Sequence, residues 1–66
     1  MSMNIYQITY YTSGQAWTGQ LYLHKALAEA TLEREGYILD PKTGGYYQEE
    51  DRHQIAIISI RFVYEQ

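Results

Sequence analysis

The chain contains no cysteine, and this absence removes the commonest covalent support of small folds. Without thiolates there is no disulfide and no cysteine-based zinc site, and a cysteine-free chain fits a reducing cytoplasm. No apolar run approaches the roughly 20 residues that a membrane-spanning helix needs, and no secretory signal pattern opens the sequence. We therefore expect a single small cytoplasmic domain over residues 1–66, without membrane attachment.

A domain of this size has little core. Below about 70–80 residues, one hydrophobic core rarely supplies more than roughly 3–5 kcal/mol of stability, and disulfides, a metal or a partner subunit usually add the rest. Because the chain has no cysteine, association with a second copy is the simplest way to gain the remaining stability. The sequence therefore predicts a homodimer.

Charge is missing from the first third of the chain. Residues 1–23 carry no charged side chain, and all five basic and eight acidic residues lie between Lys25 and Glu65. The net charge of −3 argues against binding to duplex DNA, which requires a basic surface. The neutral third predicts a sheet with a polar but uncharged face, which costs little to desolvate against a partner.

Alternation of apolar and polar residues predicts two strands in the first third. Residues 4–12 and 17–23 are rich in Ile, Tyr, Leu and Thr and form a hairpin through "SGQA". Residues 24–35 consist of strong helix formers, and Gly36 suits a left-handed C-terminal cap.

The last thirty residues predict a second hairpin and a long strand. Residues 37–48 turn through Asp40-Pro41 and close at Gly44-Gly45, where we expect positive φ. Residues 53–65 form the strongest strand, which is apolar on both faces. The expected fold is α+β: a small antiparallel β-sheet with one α-helix packed on one face, in the order β-β-α-(β-β)-β.

Two surfaces are candidates for self-association. At 100° per residue, the helix face toward the sheet is predicted to hold Leu23, Ala26, Leu27, Ala30 and Tyr37. Leu32 then falls nearly opposite and becomes a candidate interface residue. One helix covers only one face of the last strand, so Ile57 and Val63 on its other face are the second candidate.

The sequence predicts no catalytic, metal or cofactor site. No nucleophile motif surrounds the serines or threonines that could pair with His24 or His53. The acids of residues 49–51 are contiguous, so neighbouring side chains of extended chain point apart, and the alternation of a calcium loop is missing. This stretch is typical of a solvated turn, and we expect no enzyme.

Protein recognition is the function that composition favours. Eight tyrosines, one tryptophan and one phenylalanine suit both strands and contact surfaces. Acids beside aromatics suit a basic partner, such as a nucleic-acid enzyme. The predicted contact patch is Tyr46, Tyr47, Glu49, Glu50 and Asp51, with Trp17 as a second anchor.

A second function stays open on the same residues. Tyrosines on a small sheet could line a pocket for a nucleotide-like ligand, also between subunits, with Arg61 or Arg52 on its phosphate. This alternative predicts a sequestering module.

The whole chain also resembles short accessory proteins of bacteriophages and other mobile elements. The stretches that carry the resemblance are "IYQITYYTSG", "WTGQLYL" followed by "HKALAEATLEREGY", and "GGYYQEED". The resemblance implies a cytoplasmic protein that binds and disables a host enzyme or defence complex. Uracil-DNA glycosylase inhibitors and several anti-CRISPR proteins do so by imitating the charge of DNA; this chain departs from them with its mild charge of −3.

Overall fold

The computed structural model describes residues 2–64, with only the backbone of residues 2, 63 and 64. It contains five strands and one helix: β1 (Ser2–Thr12), β2 (Gln15–Tyr22), α1 (Lys25–Arg34), β3 (Tyr37–Leu39), β4 (Tyr46–Gln48) and β5 (Ile55–Tyr64). The strands form one antiparallel sheet in the order β2-β1-β5-β4-β3. The predicted α+β class, with one helix and an antiparallel sheet, is confirmed.

The longest pairing in the sheet joins the two ends of the chain. β1 pairs with β5 over ten residue pairs, from Ser2↔Tyr64 to Tyr11↔Ile55. Both strands are rich in β-branched and aromatic residues, which pack well on a pleated surface. β5 is therefore the middle strand of the five.

β2 is bent by a bulge at a glycine. Its pairing with β1 shifts register between Gln7↔Leu21 and Thr9↔Thr18, so that β2 has one extra residue there. A Cβ atom on Gly19 would lie 2.9 Å from the Tyr10 ring, which is closer than carbon atoms pack. Glycine at this position lets the ring lie flat over β2.

The ends of the helix and of the second hairpin follow local sequence. Gly36 has φ of +88° and ends α1, as the sequence predicts. The Gln48 Nε2 donates to the Glu35 carbonyl at 3.0 Å, so β4 satisfies an open helix terminus. In the β3–β4 turn Gly44 has positive φ; the same expectation for Gly45 is wrong.

The core lies between α1 and one face of the sheet. Its helical contribution comes from Ala28 and Leu32, which are fully buried, whereas Leu27 is 53% exposed. The predicted helix face is therefore wrong. Among residues 3–62, whose side chains are described, the buried hydrophobic residues are Ile8, Ala28, Leu32, Tyr37, Tyr46 and Ala56.

The physical reason lies in the size of the buried residues. Ala28 on the helix and Ala56 on β5 belong to the same fully buried cluster as Leu32, and small residues at such positions let a helix lie close to a sheet. Leu23 precedes α1, which begins at Lys25, so it does not belong to any face of the helix. Leu32 was a candidate for self-association, but it is enclosed in its own core and offers no surface.

The sheet extends beyond the helix. The molecule measures 43 × 24 × 21 Å, with a radius of gyration of 12.7 Å, compared with about 11 Å for a compact chain of this length. Beyond the pairs Tyr6↔Tyr22 and Tyr46↔Ala56, β1 and β5 continue as a two-stranded ribbon. Ile60, where the ribbon begins, and Phe62 within it are more than half exposed.

The helix orientation predicts unequal costs for two leucine truncations. Leu32→Ala should lower the free energy of unfolding by roughly 2–4 kcal/mol, because it leaves a cavity in the core. Leu27→Ala, the matched exposed control, should change it by less than about 0.5 kcal/mol. Equilibrium urea unfolding at one protein concentration measures both, and equal losses would contradict the orientation.

Candidate functional site

The predicted contact patch does not form one surface. Tyr46 pairs with Ala56 on the helix side of the sheet and is only 6% exposed. Its hydroxyl donates to Glu29 Oε2 at 3.4 Å. As a contact residue, Tyr46 is a wrong prediction, because strand alternation turns it under α1.

Tyr47 points to the opposite face of the sheet, in the row of Tyr11, Ile55 and Ile38. The Arg52 guanidinium carbon lies 5.2 Å from the centre of its ring, at cation–π distance. Two tyrosines that are adjacent in sequence thus belong to different environments, since neighbouring side chains of a strand alternate.

The acids of residues 49–51 form the turn between β4 and β5. Asp51 organises this turn through two hydrogen bonds. Its Oδ1 accepts from the His53 backbone N–H at 3.0 Å, and its Oδ2 accepts from the Gln54 side-chain Nε2 at 3.4 Å. Glu49 and Glu50 are exposed beside it. The loop is therefore held in one shape while two carboxylates face water.

Trp17 reaches this acidic loop through two residues that sequence reasoning missed. Its ring stacks on Tyr10, with centroids 5.8 Å apart and planes 16° from parallel. The Tyr10 hydroxyl donates to Glu35 Oε1 at 2.7 Å. Glu35 lines a hollow of about 380 Å³ together with the acidic loop. We call this continuous patch the aromatic–acidic surface: Trp17, Tyr10, Glu35, Glu49, Glu50 and Asp51.

A sequence signal for the two missed residues exists. Tyr10 follows Ile8 at the strand period of two, and Glu35 directly precedes the helix-ending Gly36. Their meeting depends on β1 passing beneath the C-terminal end of α1, which the sequence pattern does not specify.

Three tyrosines of the helix side are held neutral. Burial, and then the hydrogen bond and negative charge of Glu35, raise the pKa of Tyr10 well above its ordinary value. Burial and Glu35 raise the pKa of Tyr37, and burial and Glu29 raise that of Tyr46. Of the three hydroxyls, those of Tyr10 and Tyr46 donate hydrogen bonds, to Glu35 and Glu29 respectively.

A groove of about 450 Å³ borders Tyr47 on the other side of the molecule. We call it the Tyr47 groove; its polar and aromatic lining includes Tyr47, Arg52, Lys42, Asp40 and Thr43. The Asp40 Oδ1 already accepts the Lys42 backbone N–H at 3.0 Å. Arg61, the other arginine considered for a phosphate, lines a separate hollow with Ile5, Gln7, Leu21 and Phe62.

The sheet face opposite the helix carries the second self-association candidate. Ile55 and Ile57 are each 40% exposed there. The side chain of Val63 lies outside the described part of the structure, although its backbone pairs with Met3.

Among residues 2–64, no three His, Cys, Asp or Glu side chains are grouped as metal ligands would be. In the same range the structure has no helix with the length and apolarity to cross a bilayer. Comparison with known proteins finds no matching family, no matching curated protein and no matching solved structure.

The raised tyrosine pKa values predict alkaline sensitivity. Above about pH 10, the ordinary tyrosine pKa, the unfolded chain loses protons that the folded chain keeps. Stability is therefore fully present below that pH and falls as pH rises further. Tyr10→Phe should show a shallower fall, because it removes one such group. Urea midpoints between neutral pH and pH 11 measure the slope; identical slopes for the two proteins would contradict the role of Tyr10.

Proposed function

We propose that this protein is a non-enzymatic binding module that contacts a basic partner protein through the aromatic–acidic surface. The observation that carries the proposal is the continuity from Trp17, through Tyr10 and Glu35, to the acidic loop. An exposed aromatic anchor beside several carboxylates is an arrangement that recognises a protein with an apolar pocket and a cationic rim.

The geometry supports an anchor role for Trp17. Its side chain is 49% exposed, yet stacking on Tyr10 fixes its orientation before a partner arrives. A pre-ordered aromatic residue loses little conformational entropy on binding, and tryptophan is enriched among the residues that dominate interface energies. The carboxylates at the rim act mainly on the rate of encounter and on the choice of partner.

The partner class follows from charge and from the resemblance to mobile-element accessory proteins. Four of the eight acids of the chain lie on the aromatic–acidic surface, whereas Arg34 is the one cation lining its hollow. A host nucleic-acid enzyme or defence complex offers the complementary basic surface. Occupying that surface would block it, so inhibition is the proposed consequence.

Charge reversal tests the surface. The double variant Glu49→Lys, Glu50→Lys should no longer capture the basic protein that wild type retains from a bacterial lysate, because attraction becomes repulsion. Its melting temperature should be unchanged, since both side chains are exposed. Binding of the captured protein, once identified, is then measured with purified components.

Glu33→Lys is the matched control for one reversed charge, since Glu33 is exposed on α1 but does not line the hollow. It should bind like wild type. Trp17→Ala should weaken binding with the charges intact. Capture that survives the double reversal, or that is lost equally in Glu33→Lys, would rule out this surface.

The Tyr47 groove favours a second candidate function, the sequestration of a nucleotide-like ligand. It combines an aromatic ring with two cations, Arg52 and Lys42, which suits a base and a phosphate. Of the two arginines that sequence proposed for the phosphate, Arg52 is the one beside Tyr47.

A thermal-shift series tests this second candidate. A ligand at about 100 times its Kd stabilises the folded state by roughly 2.7 kcal/mol, which raises the melting temperature measurably. Mono- and cyclic nucleotides should raise it in wild type and in Arg61→Ala, but not in Arg52→Ala. No shift at millimolar nucleotide would exclude the ligand-binding function.

A further inference from the structure

The central strand of the sheet has an open edge. β4 pairs with β5 only at Ile55 and Ala56, and in the described chain the residues of β5 beyond them pair with β1 alone. One side of β5 from Ile58 onward therefore presents backbone N–H and C=O groups without a neighbouring strand. Such an edge is a template for pairing with another strand.

The two outer edges of the sheet are protected in ways that this inner edge is not. β2 is bent by its bulge at Gly19, and β3 has only three residues. Bulges and short edge strands are both features that block pairing between edges. The open part of β5 is continuous and carries Arg61 as its one charge among residues 58–62.

The side chains that share the open edge can be assigned from the hydrogen bonds. The Gln48 N–H donates to the Gln54 carbonyl at 2.9 Å, so Gln54 directs its backbone groups toward β4. Because direction alternates along a strand, Ile58, Ile60 and Phe62 point their N–H and C=O groups the same way. Their side chains lie on the helix side of the sheet, where Ile60 is 54% and Phe62 61% exposed.

The chain exposes more surface to solvent than a compact monomer of the same mass does. Its accessible area is 5165 Å², whereas a compact monomer of this mass exposes roughly 4,400 Å². The excess is close to the roughly 800 Å² that each partner buries in a standard-size protein interface. The excess follows from the elongated shape of the molecule, which leaves the open edge and the exposed Ile60 and Phe62 available to a second copy.

We propose that two copies of this chain join edge to edge through antiparallel β5 strands, with the twofold axis at Ile60. The register pairs Ile60 with Ile60 and Ile58 with Phe62 of the other copy, and each such pair exchanges two N–H···O bonds. The two five-stranded sheets become one continuous sheet of ten strands. This association uses none of the residues of the aromatic–acidic surface and is independent of the proposed function.

Two observations favour this register over those with the axis one residue earlier or later: the charge of Arg61, and the backbone edge of Ala56 that β4 already uses. A twofold axis at Arg61 would place two like charges directly opposite each other, which is unfavourable. An axis at Ser59 would place Phe62 opposite Ala56, whose edge is already paired with Tyr46, so Phe62 would find no partner. With the axis at Ile60, Arg61 faces Ser59, and Ile58, Ile60 and Phe62 all find partners. Tyr64 then falls opposite the occupied Ala56, so the pairing between the copies ends at Ile58 and Phe62.

The same register gives Phe62 a place to bind. A groove of about 300 Å³ lies beside Ile58 between α1 and the β3–β4 turn. Its apolar lining comes from Leu39, Pro41 and Tyr46, and Lys25 and Glu29 border it on the helix. Phe62 of the second copy lies opposite Ile58 and on the same side of the sheet. Its exposed ring therefore enters a groove that the first copy leaves unfilled.

Complementary charges at position 60 test the axis itself. Wild type should have twice the 7.8 kDa chain mass in light scattering at micromolar concentration. Ile60→Lys and Ile60→Asp should each raise the dimer Kd at least about tenfold, because like charges meet on the axis. An equal mixture of the two variants should recover a dimer containing one copy of each, detected by native mass spectrometry.

Leu27→Lys is the matched control, because Leu27 has nearly the same exposure as Ile60 but lies on α1; it should remain dimeric. Amide exchange should slow at Ile58, Ile60 and Phe62 as concentration rises. A wild-type monomer at all concentrations, or a dimer that Ile60→Lys leaves intact, would overturn the proposal. Failure of the mixed variants to pair would overturn the register.

Discussion

The ladder between β1 and β5 is the interaction on which the rest of the structure depends. Its pairs Ile8↔Ile58 and Tyr10↔Ala56 form the floor of the core, and the hairpins of β2 and of β3–β4 attach to its two sides. The paired residues are about fifty positions apart in sequence. Closing that loop costs entropy before any contact repays it.

The difference in length between α1 and the β1–β5 ladder determines how much of the sheet face under the helix stays exposed. A helix of ten residues spans about 15 Å, whereas a ladder of ten pairs spans about 33 Å. α1 therefore covers roughly half of one sheet face and leaves the ribbon beyond it exposed. The short helix leaves Phe62 open at the far end, and Ile57 stays open because α1 lies only on the other face of the sheet. The exposed apolar residues thus follow from the geometry of a single short helix.

The tyrosines show how one residue type divides between stability and recognition. Tyr37 and Tyr46 are core residues whose hydroxyls lie near the carboxylates of Glu35 and Glu29 respectively. Tyr10 joins the core to Trp17 on one side and to Glu35 on the other. Tyr47, one residue from Tyr46, faces the opposite side with Arg52 over its ring. Position on the pleat, more than residue type, decides the role of each ring.

The kinds of element could be predicted from local sequence patterns, because periods of 2 and 3.6 and the turn residues at Gly36 and Gly44 are local properties. The sequence also located the exposed acidic turn at Glu49 and Glu50. It could not determine which stripe of α1 faces the sheet, because Ala28 and Ala56, which are distant in sequence, join one buried cluster only when the helix and β5 pack together. The burial of Tyr46, the link from Trp17 to Glu35 and the open edge of β5 were likewise decided only by tertiary structure. Each requires knowing which distant strands are neighbours, and pairing between strands is set by the packing of the whole sheet.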